Sequence, residues 1–250
     1  MDHIFYDIFE QLPRVGPGNN ESTRKAFKII TSGTALARHL NILDIGCGTG
    51  VHTIQLAKLI DGKITAMDNH QFFLDELQIR LEAEGVSDKI DCVQGDMRAM
   101  DFEKESFDVI WAEGSVFILG FEKGLNQWRK YLKPGGFIAL TEAFWFKPAP
   151  PAELKTFWEQ VYPGLITLEE ALRVVERSGY RRIDHFQLPE IAWWDDYYRP
   201  MEEHLKVFRE KYMDNSEALG VIDSLQTEID MYRKYSDYYG YIFFMLEKKE

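Results

Sequence analysis

From residue 41 onward, short apolar runs alternate with amphipathic stretches in regular succession. Segments 42–45, 63–67, 90–94, 107–112 and 137–142 are near-continuously apolar and short, the pattern of strands buried on both faces. Between them, 51–59, 72–83 and 123–132 carry helical spacing; Gly85 closes the second, and Pro134-Gly135-Gly136 stops the third. This alternation predicts βαβ units, hence an α/β protein with a mainly parallel sheet and helices on both faces. Pro148, Pro150 and Pro151 then mark a loop. Thr167-Leu168-Glu169-Glu170 fits a capping box with Thr167 as N-cap, and its helix ends at Gly179. Segments 180–188 and 240–246 read as sixth and seventh strands.

The two flanks of this core have a different texture. Ile4, Phe5, Ile8, Phe9 and Leu12 recur at helical spacing, and a stretch rich in Pro and Gly follows, from 13 to 20. A second helix is expected from about 20–22, carrying Phe27, Ile30 and Leu36. Residues 1–40 therefore read as an N-terminal helical lid, and 41–188 as the core. Residues 189–239 are helical in pattern and dense in aromatics: Trp193, Trp194, Tyr197, Tyr198, Phe208, Tyr212, Tyr232, Tyr235, Tyr238 and Tyr239. That is far longer than a hairpin loop, so it reads as an inserted layer over the strand ends, with 240–250 returning to the core. Most of these aromatics must bury one another; some would roof a site.

Composition narrows the function. The 250 residues are 45% hydrophobic, enough for a sizeable core, and the formal net charge is −12. An acidic chain whose basic pairs, Arg181-Arg182 and Lys248-Lys249, stand isolated does not suit nucleic acid. Two cysteines, Cys47 and Cys92, make neither a disulfide framework nor a zinc set, and the six histidines show no metal spacing, so no metal is expected. Acids rather than Lys or Arg follow Met1, and no apolar run approaches the roughly 18 residues of a membrane span. A cytoplasmic protein without a membrane span is the expectation.

The chemistry concentrates at Asp44-Ile45-Gly46-Cys47-Gly48-Thr49-Gly50. A triphosphate loop needs Gly-Lys-Ser/Thr, but Val51, His52 and Thr53 follow. A dinucleotide loop spaces its glycines G-x-G-x-x-G, and here the third comes one residue early, with an acid just ahead of the first. Asp44 is ill placed beside a pyrophosphate and well placed beside a cation. S-adenosylmethionine (SAM) carries an ammonium and a sulfonium and no phosphate. Asp68, ending the second strand, can accept both ribose hydroxyls. Asp96, just after the third, can accept from an adenine amine, with a following backbone N–H donating to the ring. Each also has a plainer role, Asp68 as a helix cap and Asp96 as a turn former. Ligands of open α/β sheets bind at these carboxyl ends.

At these residues the chain resembles class I SAM-dependent methyltransferases. Leu43–Gly50 resembles the first motif, Met67-Asp68 the second-strand acid, Gly95-Asp96-Met97 the adenine motif and 107–111 the fourth strand. Leu132-Lys133-Pro134-Gly135-Gly136 is similar to the turn of small-molecule members such as quinone-biosynthesis methyltransferases. The resemblance implies a Rossmann-like seven-stranded sheet in the order 3-2-1-4-5-7-6, with strand 7 antiparallel. It implies SAM as cofactor, S-adenosylhomocysteine (SAH) as product, and a cofactor site of Asp44, Gly46, Gly48, Thr49, Gly50, Asp68, Asn69, Asp96, Met97 and Glu113. The acceptor is expected to be a small molecule with an N or O nucleophile, methylated by in-line displacement. Glu113, Glu142 and Tyr6, in that order, are the candidate bases. A non-catalytic SAM sensor, an aminopropyl transferase on a related fold and a nicotinamide dehydrogenase are the rivals.

Overall fold

The computed structural model describes residues 2–10, 12–32 and 39–249, residues 2 and 3 by their backbone alone. Helices α1 (Asp2–Phe9) and α2 (Asn20–Thr31) precede β1 (His39–Ile45), α3 (Val51–Ala57), β2 (Asp61–Asp68), α4 (Gln71–Glu84) and β3 (Ile90–Gln94). Then come β4 (Phe107–Glu113), α5 (Phe121–Trp128), β5 (Leu132–Trp145), α6 (Ala152–Val161), β6 (Ile166–Thr167), α7 (Leu168–Arg177) and β7 (Tyr180–Gln187). The chain closes through α8 (Ile191–Trp193), a π-helical turn (Trp194–Tyr198), α9 (Arg199–Lys211), α10 (Ser216–Tyr235) and β8 (Tyr239–Lys248). The expected contribution of Leu36 to the second helix lies outside the described residues.

The sheet runs β3-β2-β1-β4-β5-β8-β7, with β8 antiparallel to both neighbours. This is the expected order, with one addition. Two-residue β6 pairs with the end of β5 through Phe144 and Ile166, and through Trp145 and Thr167. So short a strand has no periodicity to read. Helix α6 also goes unforeseen, because the prolines before it dominate the pattern; it starts directly after Pro151 and buries Leu154 and Trp158, one turn apart.

Strand side chains alternate between two cores. Ile42, Val109, Trp111, Ala139, Phe243 and Met245 pack on the face covered by α2, α3 and α4. Leu43, Ile45, Ile110, Ala112, Ile138, Leu140 and Phe244 pack on the face covered by α5 and α7. Burial on both faces is why the strands read as continuous apolar runs rather than alternating ones. The capping box forms as expected: Thr167 Oγ1 accepts from the Glu170 N–H, and the Glu170 carboxylate accepts from the Thr167 N–H at 2.8 Å.

A third cluster lies beyond the strand ends. It joins Ile8, Phe9 and Leu12 of the N-terminal segment to Trp158, Trp193, Tyr197, Tyr198, Phe208, Ile229, Tyr232 and Tyr239. Trp193 stacks on Tyr232 at 4.3 Å and meets Tyr241 edge-on at 4.9 Å. Such pairs add about 0.5–1.5 kcal/mol each beyond simple area burial. The roof is therefore a packed aromatic layer. No helix among the described residues is long and apolar enough to cross a membrane.

Candidate functional site

The glycine loop is pressed between three parts of the molecule. Gly46 (φ 73°) donates its N–H to the Met67 carbonyl at 2.8 Å, and a Cβ there would stand 2.5 Å from Ser115 Cβ. Gly48 (φ 53°) donates its N–H to Asp68 Oδ2 at 2.9 Å, and a side chain would collide with Val15. Both need left-handed backbone and close approach, which only glycine supplies without strain.

Three adjoining cavities meet around Val15 and Gly114. The first, of about 160 Å³, lies over β2 and β3 and is lined by Gly46, Asp68, Asn69, Asp96, Met97, Ser115 and the α1 residues Phe5, Tyr6 and Phe9. The second, of about 40 Å³, lies against the glycine loop and is lined by Arg14, Gly46, Thr49, Gly50, His52 and Glu113. The third, of about 250 Å³, lies under the aromatic roof and includes Glu142, Trp158, Tyr162, Trp193, Tyr197, Glu228 and Tyr241.

Asp68 carries three loads. Its Oδ2 accepts from Gly48, its Oδ1 accepts from the His70 N–H at 3.0 Å, and it faces the first cavity. Burial pushes its pKa up, and the backbone donors from His70 and Gly48 offset this only partly. The plainer reading as a turn- and loop-binding carboxylate and the ligand-facing one thus coexist in one residue. Asp96 likewise accepts from the Arg98 N–H at 2.8 Å while lining the cavity. Asn69 and Met97 line it too.

Asp44 departs from expectation. It is fully buried, lines none of the three cavities, and spends its carboxylate on Thr53 Oγ1 at 2.6 Å and His52 Nε2 at 3.1 Å. Its place is beneath the loop, anchoring the first turn of α3. Burial disfavours charge on His52, but Asp44 and Glu113 outweigh that and raise its pKa.

Glu113 is also differently employed. Its Oε1 accepts from Thr23 Oγ1 at 2.7 Å and Trp111 Nε1 at 3.0 Å, and its Oε2 pairs with Arg14 Nη1 at 3.2 Å. Burial alone would raise its pKa; His52, Arg14 and the two donors reverse the direction and lower it. A carboxylate so engaged is a poor proton acceptor. What it does is fix Arg14, a residue that no pattern in the sequence singles out. Arg14 is buried, and its Nε has no hydrogen-bond partner among the described residues. Buried donors of this kind are costly unless something pairs with them.

Glu142 stands alone by contrast. It lies three residues before the end of β5, which runs on past the expected Glu142 to Trp145. It faces the third cavity, accepting from the adjacent Ala143 N–H at 2.6 Å and, more distantly, from Tyr162 Oη at 3.4 Å. Burial pushes it up to about 8 against these weaker donors. Glu228, on α10, was invisible to sequence reasoning. Its signal was a glutamate three residues after Leu225 and four before Tyr232, on the buried side of the helix. Tyr6 faces the first cavity and stacks on His70 at 3.9 Å, away from Glu142's chamber. Among the described residues no group of three His, Cys, Asp or Glu is placed to hold a metal ion.

The fold and this strand-end site define a class. Residues 42–136 match the family described as "Methyltransferase domain". The match and the sheet order together give the chain the class I methyltransferase fold. It is 29% identical to the uncharacterized methyltransferase YodH of Bacillus subtilis, over 83% of this chain and 84% of that one. A second relative, sterol 24-C-methyltransferase ERG6B of Gibberella zeae, is 34% identical over 41% of this chain, which spans only 27% of that relative's length. The crystal structure of a SAM-dependent methyltransferase from Geobacter sulfurreducens with SAH superposes with a TM-score of 0.83, at 22% identity, covering 100% of this chain and 99% of that one.

Proposed function

We propose that this protein moves the methyl group of SAM to a small-molecule acceptor held under the aromatic roof. The observation that carries the reading is the three-part cavity, whose parts have the chemistry of the three parts of the donor and acceptor. The first cavity offers Asp68 and Asp96 to a ribose and an adenine. The second offers the unpaired donor of Arg14, beside the paired Glu113, to an amino-acid carboxylate. Bound SAM supplies an electrophilic methyl on a sulfonium whose leaving group is a neutral thioether, so no acid is needed on that side.

The work left to the chain is placement, water exclusion and proton handling. Phe5, Phe9, Phe117 and the roof aromatics screen the junction of the cavities from solvent. Holding the nucleophile about 3–3.5 Å from the methyl carbon lowers the barrier by several kcal/mol. Glu142 is the carboxylate positioned and poised to take a proton from an N–H or O–H acceptor; Glu113 and Tyr6 are not. The sterol relative's acceptor is not carried over. The matched stretch is 104 residues long, and a cavity of about 250 Å³ falls below the 300–1,000 Å³ of drug-sized sites.

Calorimetry with SAM and SAH tests the donor site. Asp68→Ala should weaken both by roughly 1.5–3 kcal/mol, the cost of charge-assisted hydrogen bonds. Arg14→Ala should weaken SAH by a similar amount but barely affect 5′-methylthioadenosine, which lacks the amino-acid carboxylate. Equal losses for the two ligands would remove Arg14 from the carboxylate site.

A further inference from the structure

The third cavity has a one-sided chemistry. Its two ionisable acids, Glu142 from β5 and Glu228 from α10, sit among Trp158, Trp193, Tyr162, Tyr197 and Tyr241, and no Lys, Arg or His lines it among the described residues. Tyr241 feels both carboxylates, which raise its pKa further after burial has done so, so the acids flank a shared aromatic surface. Glu228 accepts from Tyr198 Oη at 2.9 Å through Oε1, and its Oε2 has no partner among the described residues. Arg14, which lines the neighbouring second cavity, is paired with Glu113.

We propose that the acceptor is a small primary or secondary amine with an apolar body, bound as its ammonium ion by Glu228 and the Trp193–Tyr241 faces and deprotonated by Glu142. This deepens the methyltransferase reading and rests on it. Glu142 is buried and Glu228 half-buried, and two acids in an apolar chamber cost stability unless a ligand compensates them. An ammonium compensates them, and aromatic faces add about 0.5–2 kcal/mol of cation–π attraction. A carboxylate or phosphate acceptor would find no cation to pair with in the lining. A neutral alcohol of the same shape would gain the apolar contacts and lose the charge. Chemically the step balances. The ammonium proton goes to Glu142, the freed nitrogen lone pair forms the N–C bond, the C–S bond breaks, and its electron pair leaves with sulfur.

The test uses the full chain saturated with SAH and follows Trp fluorescence while three probes of matched shape are added: 2-phenylethylamine, 2-phenylethanol and phenylacetate. The expected result is that the amine binds at least tenfold tighter than the alcohol and that phenylacetate binds weakest. Glu228→Gln should erase most of the amine's advantage while leaving SAH affinity unchanged. Turnover of the amine with labelled SAM should show a raised KM in Glu228→Gln and a collapsed kcat in Glu142→Gln. Should Glu228→Gln fail to fold, Glu228→Asp is expected to weaken the amine and spare the alcohol. Alcohol binding as tight as amine, an unaltered preference in the folded Glu228 variant, or no amine binding to SAH-loaded protein would each overturn the proposal. Loss of SAH binding in the wild-type chain would instead overturn the methyltransferase reading beneath it.

Discussion

Glu142 is costly to the fold in the charge state that the proposed reaction needs. Burial raises its pKa from the ordinary 4.5 to about 8. An acid with a raised folded-state pKa contributes most to stability below its unfolded pKa, and that contribution is lost as pH rises through the folded one. Between pH 4.5 and about 8 the chain therefore loses stability on Glu142's account, by roughly 1.4 kcal/mol for each unit of pH. Glu142→Gln should raise the unfolding midpoint at pH 8 and do nothing at pH 4, as thermal unfolding at the two values will show. The same variant should lose methyl transfer, and the wild-type kcat/KM should rise toward an inflection near 8 that the variant lacks. A midpoint unchanged at pH 8 would show that the carboxylate is ionised and compensated in the folded chain, with no raised pKa.

Residues differ in how plainly the sequence announces them. Gly46, Gly48 and Gly50 are legible because positive φ demands glycine and a loop after a strand has few other uses for three of them. Asp68 and Asp96 stand at strand ends, as read from the sequence, and both line the first cavity. Asp44 and Glu113 share that kind of placement, yet their carboxylates turn to His52 and Thr53, and to Thr23, Trp111 and Arg14. Strand position fixes where a Cα lies; it does not fix which partners reach the side chain first. Arg14 and Glu228 stay hidden for the complementary reason. One sits in an irregular Pro- and Gly-rich stretch and the other in a helix, and only tertiary packing brings them to the strand ends.

At the scale of elements, α1 is the piece whose motion the account requires. It lies across the first cavity through Phe5, Tyr6 and Phe9 and is fastened at both sides. Tyr6 stacks on His70, whose Nε2 donates to Glu10 Oε1 at 2.7 Å, and Asp7 accepts from Tyr212 Oη. The stacking and the hydrogen bond are each worth about 0.5–1.5 kcal/mol. Removing both in Tyr6→Ala/Glu10→Ala should speed SAH dissociation by about 5- to 100-fold in a stopped-flow chase, with a small change in unfolding midpoint. A dissociation rate unaffected by the double change would mean that the donor enters by another route. The strands were readable because burial on both faces leaves continuous apolar runs, and the helices α3, α4, α5 and α7 because each buries one side against the sheet. Helix α6 and strand β6 were not, because prolines and brevity mask their periods.

On the proposed function, the whole molecule joins a donor half and an acceptor half that are built differently. The donor half comes from consecutive βαβ units within 42–136, which is also the stretch that matches the methyltransferase domain family. The acceptor half is assembled from α1, the ends of β5 and β8, α6 and the helices between β7 and β8. Sequence-local reasoning sees the first because its parts are contiguous. It sees the second only as an excess of aromatics. The central claim is that the two halves meet at Gly114, with the donor's sulfur facing Glu142. A crystal structure of the full chain with SAH tests it most directly. The account predicts the ribose on Asp68, the adenine near Asp96, the amino-acid carboxylate on Arg14, and the sulfur opening into the chamber of Glu142 and Glu228. SAH bound with its sulfur turned away from that chamber, or its carboxylate far from Arg14, would contradict it.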